Sequence, residues 1–208
     1  KASDPGLGDQ FAWRVAIDAS TCIVGAPTED PVGLSAAGSC YVFELSGGVW
    51  AQTSKLWASD ASPNAGLGYS VAISGDRLVI GARQDGQAAF EAGAAYVFDR
   101  VGPNWVESAK LMASDAMAFD LFGASVATWG DFAIVGSSSD GPGGGSQGAA
   151  YVFQRFGSVW TQVAKLVAND GAASDAFGQA VAIRQDVVLV GAYLHDHGIT
   201  NRGAVYVF

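Results

Sequence analysis

Gly148-Ala149-Ala150-Tyr151-Val152-Phe153 ends in a triplet that the chain writes four times, as Tyr41-Val42-Phe43, Tyr96-Val97-Phe98, Tyr151-Val152-Phe153 and Tyr206-Val207-Phe208, at a constant step of 55 residues. Other positions keep nearly the same step: Asp4, Asp60, Asp115 and Asp170; Gly25, Gly81, Gly136 and Gly191; Trp50, Trp105 and Trp160. A fixed period of this length marks a repeat architecture, in which one supersecondary unit is stacked on copies of itself. A chain organised this way builds a surface, and active sites are rarely repeated four times.

One unit reads entirely as strands. Gly68 to Ile73 alternates large and small side chains, and Ser74-Gly75-Asp76 is a tight-turn signal. Leu78-Val79-Ile80 follows and is ended by Gly81; a small, polar loop runs to Gly93. Ala94 to Phe98 and Trp105 to Leu111, joined through Val101-Gly102-Pro103-Asn104, complete four strands with no helical period. In a strand, neighbouring side chains take opposite faces. Val71 and Ile73 therefore share a face, as do Tyr96 and Phe98, with Ala72 and Val97 behind them. Both faces are apolar and one carries small residues, as face-to-face stacking of sheets requires. The expectation is an all-β propeller of four-stranded antiparallel blades. Its units run over about 1–54, 55–109, 110–164 and 165–208, with strand breaks near 55, 110 and 165.

Composition narrows the function. The chain has 208 residues, half of them hydrophobic, yet no apolar run approaches the ~18 residues of a membrane span. Acidic residues outnumber basic ones 20 to 11, for a net charge of −9, which argues against a nucleic-acid partner. Three of the four lysines, Lys55, Lys110 and Lys165, occupy one repeat position, a slot in a structural template. No signal peptide opens the chain. Lys1 enters and Phe208 leaves in mid-repeat, so the expectation is a segment of a longer ring. Such a segment would not be a stable monomer, because Ala204–Phe208 would form an exposed edge and the end blades would lack covers.

Phe122-Gly123 and Phe177-Gly178, with Gly25-Ala26-Pro27, Gly81-Ala82 and Gly191-Ala192, resemble FG-GAP repeats. Those repeats form the seven-bladed propeller of integrin α subunits and related extracellular proteins. Lys110-Leu111-Met112-Ala113-Ser114-Asp115 and Gly148 to Phe153 are similar to the bacterial-type subset. The resemblance covers the whole chain and implies about four blades of a seven-bladed ring, located outside the cell or on its surface. It also brings in calcium, held in that family by a loop of alternating Asp and Asn between the first two strands. Here that connection is only Ser74-Gly75-Asp76, Trp129-Gly130-Asp131 or Arg184-Gln185-Asp186. Ca²⁺ takes six to eight oxygens, so the expectation is that these turns hold none and that no cofactor is required.

Several residues remain as candidates. Asp30, Asp85, Asp140 and Asp196 follow the Gly-Ala pairs and read either as solvated turn residues or as a weak cation site. Asp4/Asp9, Asp115/Asp120 and Asp170/Asp175 are spaced five apart, with Ala65 in place of the second member in the second unit; they read as caps of the blade-to-blade turn. His195 and His197 flank Asp196 and read either as part of a solvent-exposed loop or as two imidazoles that meet one metal, though no third ligand is evident. Cys22 and Cys40 fall on adjacent strands, as a disulfide or as two small buried hydrophobes. The tryptophans read as inter-blade packing or as sugar-stacking platforms. Gly143-Gly144-Gly145 has no lysine or helix behind it and reads as a loop. No catalytic set stands out. The functional expectation is a non-enzymatic, extracellular adhesive module that presents loops to a protein partner or to further blades. A lectin-like glycan binder and a non-catalytic part of a larger secreted enzyme are the alternatives.

Overall fold

Each Tyr-Val-Phe triplet lies in the third strand of an antiparallel sheet. The computed structural model describes residues 1–141, 147–196 and 201–208. The first sheet is β1 (Arg14–Asp18), β2 (Thr21–Ala26), β3 (Ser39–Ser46) and β4 (Val49–Leu56). The second is β5 (Leu67–Ser74), β6 (Arg77–Ala82), β7 (Ala94–Val101) and β8 (Asn104–Leu111). The third is β9 (Phe122–Trp129), β10 (Phe132–Ser137), β11 (Ala149–Phe156) and β12 (Val159–Leu166); the fourth is β13 (Phe177–Arg184), β14 (Val187–Ala192) and β15 (Ala204–Val207). Strand order in every sheet is sequence order, so each is a simple meander. Among the described residues the only helical element is a 3-10 turn, Pro31–Gly33. Blades end at Leu56, Leu111 and Leu166, where Ala-Ser-Asp or Ala-Asn-Asp leads into the next.

The sheets twist for a local reason. In the outer pair of each complete blade the register slips by one residue right after the triplet's valine, between Val42/Phe43, Val97/Phe98 and Val152/Phe153. An extra residue in the outer strand is a β-bulge, which raises the twist. Innermost strands of successive blades pack closely while outer strands barely meet, so the blades splay like wedges around an axis.

Stacking follows the period-2 faces. Ile23, Cys40 and Val42 of the first blade meet Leu78, Ile80, Tyr96 and Phe98 of the second in one buried cluster. Val79, Ala95 and Val97 of the second meet Phe122, Val135, Tyr151 and Phe153 of the third. Ile134 and Ala150 of the third meet Phe177, Val188 and Val190 of the fourth. At the inner end of each joint the close approach is backbone on backbone. A Cβ on Gly81 would lie 2.1 Å from the Gly123 carbonyl oxygen of the next blade, and one on Gly136 would lie 1.9 Å from that of Gly178. The two glycines of the repeat thus face each other across every joint, and neither tolerates a side chain there.

The end blades show what the joints cover. Val15 and Ile17 on the first blade are 63% and 64% exposed, whereas their equivalents Val71 and Ile73 are half-buried in the first joint. Val205 and Val207 on the fourth are 68% and 69% exposed, against none for Ala95 and Val97. The tryptophans behave alike: Trp105 is buried in the first joint and Trp160 packs on the second, while Trp50, with no blade before it, is 42% exposed.

The disulfide reading of Cys22 and Cys40 is overturned. Cys22 pairs with Phe43 and Cys40 with Gly25, three register steps away. At about 3.4 Å per residue that separation exceeds disulfide reach. Cys22 packs with Val24 and Tyr41 on one face of the blade, Cys40 in the joint on the other, and both thiols are free.

Candidate functional site

The carboxylates divide into two kinds by position in the repeat. Asp9, Asp120 and Asp175 each accept the backbone N–H of the residue three before them, Gly6, Met117 and Ala172, at 2.6–2.7 Å. These are turn caps, as the spacing suggested. The aspartates of the earlier position in the repeat do something else. Asp4, Asp60 and Asp115 reach a tyrosine and a lysine far along the chain.

The second blade has the fullest version. Tyr96 Oη lies 2.7 Å from Asp60 and 2.9 Å from Asp85, and Lys110 Nζ donates to Asp60 at 2.9 Å and to Asp85 at 3.0 Å. The phenol has one proton and serves one carboxylate at a time; the ammonium serves both. In the third blade Tyr151 bonds Asp115 at 2.8 Å and also Asp140, and Lys165 pairs with the same two at 2.7 and 2.9 Å. In the first, Lys55 bridges Asp4 and Glu29 at 2.6 and 2.7 Å, and Tyr41 donates to Asp4 at 3.0 Å. The lysine slot thus has a physical reason. An ammonium sits over a tyrosine ring, 5.1–5.4 Å from its centroid, and bridges two acids on two loops, offsetting one of their two charges.

The post-Gly-Ala series is corrected by one residue. Four residues past the Gly-Ala glycine stand Glu29, Asp85, Asp140 and His195, and these join the clusters. Asp30 and Asp196 do not. Asp30 accepts the Ala36 N–H at 2.6 Å, holding its own loop, and Asp196 accepts the Asn201 N–H at 2.5 Å. His195 is buried, with Nδ1 2.8 Å from Asp175 and Nε2 3.8 Å from Asp170. The Asp175 contact, followed by the nearby charges of Asp170 and Asp196, raises its pKa against the opposing effect of burial. His197 and Gly143-Gly144-Gly145 lie outside the described residues.

The turns between first and second strands do not fit calcium. Each offers one carboxylate, already taken by a guanidinium in two of them: Asp76 pairs with Arg100 at 3.0 Å and Asp131 with Arg155 at 2.8 Å. Among the described residues no three His, Cys, Asp or Glu side chains converge in a metal-holding arrangement.

These clusters set a pH profile. Lys55 and Tyr41 draw the Asp4 carboxyl below the ordinary range; burial would raise Asp60 and Asp115, but their tyrosine and lysine partners outweigh it and lower them too. Burial first, then the adjacent carboxylates, pushes Tyr41 and Tyr206 up to about 12 and raises Tyr96 and Tyr151 as well. Lys55 and Lys165 are raised by their acids despite burial. A lowered carboxylate stabilises the fold above its unfolded pKa of about 3.9, and a raised phenol or ammonium stabilises it below about 10. The raised His195 adds stability that is fully present below about pH 6.5 and is lost as pH rises through its folded value. The expected result is a broad optimum between the carboxylate and phenol limits, with one step down on the alkaline side of the His195 titration. Stability falls as acid protonates the aspartates, and falls again from about pH 10 towards 12. Denaturant midpoints across pH, with tyrosinate absorbance followed in parallel, check it. An alkaline limb that begins without tyrosine ionisation would refute the assignment.

The same end of the blades carries loops zipped to one another. Asn64 N–H donates to Ser35 O at 2.8 Å and Phe119 N–H to Phe90 O at 2.9 Å, joining the loop of one blade to the turn entering the next. On this frame Phe90 and Phe119 stand 65% and 56% exposed, edge to face at 5.3 Å. Nothing in the residue pattern marked that pair, because loop residues fall outside the period. No helix among the described residues is long and apolar enough to cross a membrane.

The sequence pattern of the family described as FG-GAP repeat matches residues 1–43, 50–98, 105–153 and 160–208. No curated protein matches the chain. Each matched unit after the first takes in the outer strand of one blade and the first three of the next, so the sequence unit straddles a joint.

Proposed function

The chain belongs to the FG-GAP repeat family, and we propose on that premise that it is a non-catalytic interaction module, displayed outside the cell or on its surface, whose loop end docks a protein partner. The observation that carries this is the Phe90–Phe119 pair, two aromatic rings held in solvent by a backbone hydrogen bond. Exposed aromatics on a rigid frame are what interface hot spots are made of. The acids of the repeat support the reading: paired with lysine and tyrosine, they act as scaffold rather than as general acids or bases. The open faces of the first and fourth blades are two halves of one kind of joint, and they take further blades or a partner chain.

Binding of the labelled chain to intact cells of the organism that makes it, and to their extracellular matrix, tests this. Phe90→Ser with Phe119→Ser should weaken binding at least tenfold. Val101→Ser, equally exposed at the opposite end of the second blade, should leave it unchanged. No binding, or equal loss from both changes, would refute the reading.

A further inference from the structure

A cavity of about 800 Å³ opens at the loop end between the first and second blades. Trp13 and Tyr69 form one wall, ring centroids 5.7 Å apart and planes at 44°. The Arg83 guanidinium lies 4.2 Å from the Tyr69 centroid, and its Nη1 donates to Tyr69 Oη at 2.9 Å. No carboxylate pairs with Arg83 among the described residues, and its buried Nε has no acceptor. At the other end of the blades Arg77, Arg100 and Arg155 are each paired with an acid. The side-chain amides of Gln10, Asn64, Gln84 and Gln87 join the lining, together with Phe90 and the Glu91 carboxylate, which accepts from Gln84 Nε2 at 3.4 Å.

Blade packing does not ask for these residues. The repeat position of Trp13 and Tyr69 holds Ala124 and Gln179 in the other two blades, and that of Arg83 holds Pro27, Ser138 and Tyr193. An aromatic wall, a guanidinium that no carboxylate pairs with among the described residues, and several amides appear together at this one joint. Aromatic faces take the C–H face of a pyranose, amides take hydroxyls, and a guanidinium takes a carboxylate in a charge-assisted pair. Backbone groups at the rim are already spent on the loop zipper: Ser35 O on Asn64, Ala36 O on Gly66 and Ala65 O on Gln84. A peptide, which needs main-chain partners, is therefore the poorer fit.

We propose that this cavity binds a saccharide bearing a carboxylate, a uronate-type sugar, with its ring against Trp13 and Tyr69 and its carboxylate on Arg83. The site shares Phe90 with the protein-docking surface, whereas Phe119 does not line it, so Phe119→Ser alone, expected to weaken protein docking and leave saccharide binding unchanged, separates failure of one reading from failure of the other. Calorimetric titration of the full chain with trigalacturonate, with its methyl ester and with an aspartate-rich peptide tests it. The acid should bind at least tenfold more tightly than the ester, and the preference should shrink with added salt. Arg83→Gln should abolish that preference while keeping ester binding, and Trp13→Ala should weaken both. Gln84→Ala, expected to cost several-fold, stands in if Trp13→Ala does not fold. Absence of saccharide binding, equal binding of acid and ester, a preference that survives Arg83→Gln, or tighter binding of the peptide would each overturn the proposal.

Discussion

Gly136→Ala is expected to destabilise the chain by more than about 3 kcal/mol, while Gly191→Ala at the same repeat position is expected to be nearly neutral. The new Cβ at 136 would stand 1.9 Å from the Gly178 carbonyl oxygen and 2.3 Å from Ser125 Oγ. Backbone on both sides of the joint is fixed by sheet hydrogen bonds, so relief requires the third and fourth blades to separate. At 191 the nearest atom is Ala180 Cβ at 3.5 Å, an ordinary contact. Losing a strand glycine is itself worth up to about 1 kcal/mol in favour of the variant. Urea unfolding of residues 1–208 resolves the difference; equal effects at the two sites would refute the account of the joint. A large cost at 191 in a longer chain would instead report that another blade covers that face.

The second large effect belongs to the lysine slot. Lys110→Met should cost about 3–5 kcal/mol, because it leaves Asp85, 1% exposed, and Asp60 sharing the single proton of Tyr96. In the first blade Asp4 is 50% exposed and water replaces part of what Lys55 supplies, so Lys55→Met should cost roughly half as much. Combining Lys110→Met with Asp85→Asn should recover part of the loss, since the buried charge goes with its partner. Chemical denaturation of the parent, of the single variants Lys110→Met, Lys55→Met and Asp85→Asn, and of the double variant measures this. Additive losses in the double variant would show that the ion pair is not what holds the loops.

How much of this was legible in the residues depends on the kind of contact. Strands, faces and joints were readable because each rests on a column that recurs: Tyr96 and Phe98 on one face, Val97 on the other, Gly81 at the turn. The acid clusters were readable only as separate columns. Tyr96 meets Asp60 across 36 positions and Asp85 across 11, and no local pattern records that closure. Counting four residues from the Gly-Ala glycine would have placed Glu29 in the series and left Asp30 out. Aligning on the aspartate itself hid a glutamate and a histidine doing the same job. Cys22 and Cys40 depended on strand register, which a loop of uncertain length does not determine. The cavity wall was visible as Trp13 and Tyr69 departing from a column, but a departure has no meaning until the joint places both rings together.

The joint has a consequence for descent. The second, third and fourth units carry both halves of the same contact, a tyrosine–phenylalanine face and a small apolar face around a valine, with a glycine for each side of the inner approach; the first has Ala12 in place of one of the two glycines. A stretch of coding DNA about one period long therefore encodes a complete plug and its socket. Copying or deleting one such stretch lengthens or shortens the array without inventing a single new fit. A change by any length other than a whole period leaves a mismatched seam. The unit therefore permits change by whole blades, while the residues that do not recur, around Arg83 and Phe119, lie outside the repeated contact and can change without disturbing it.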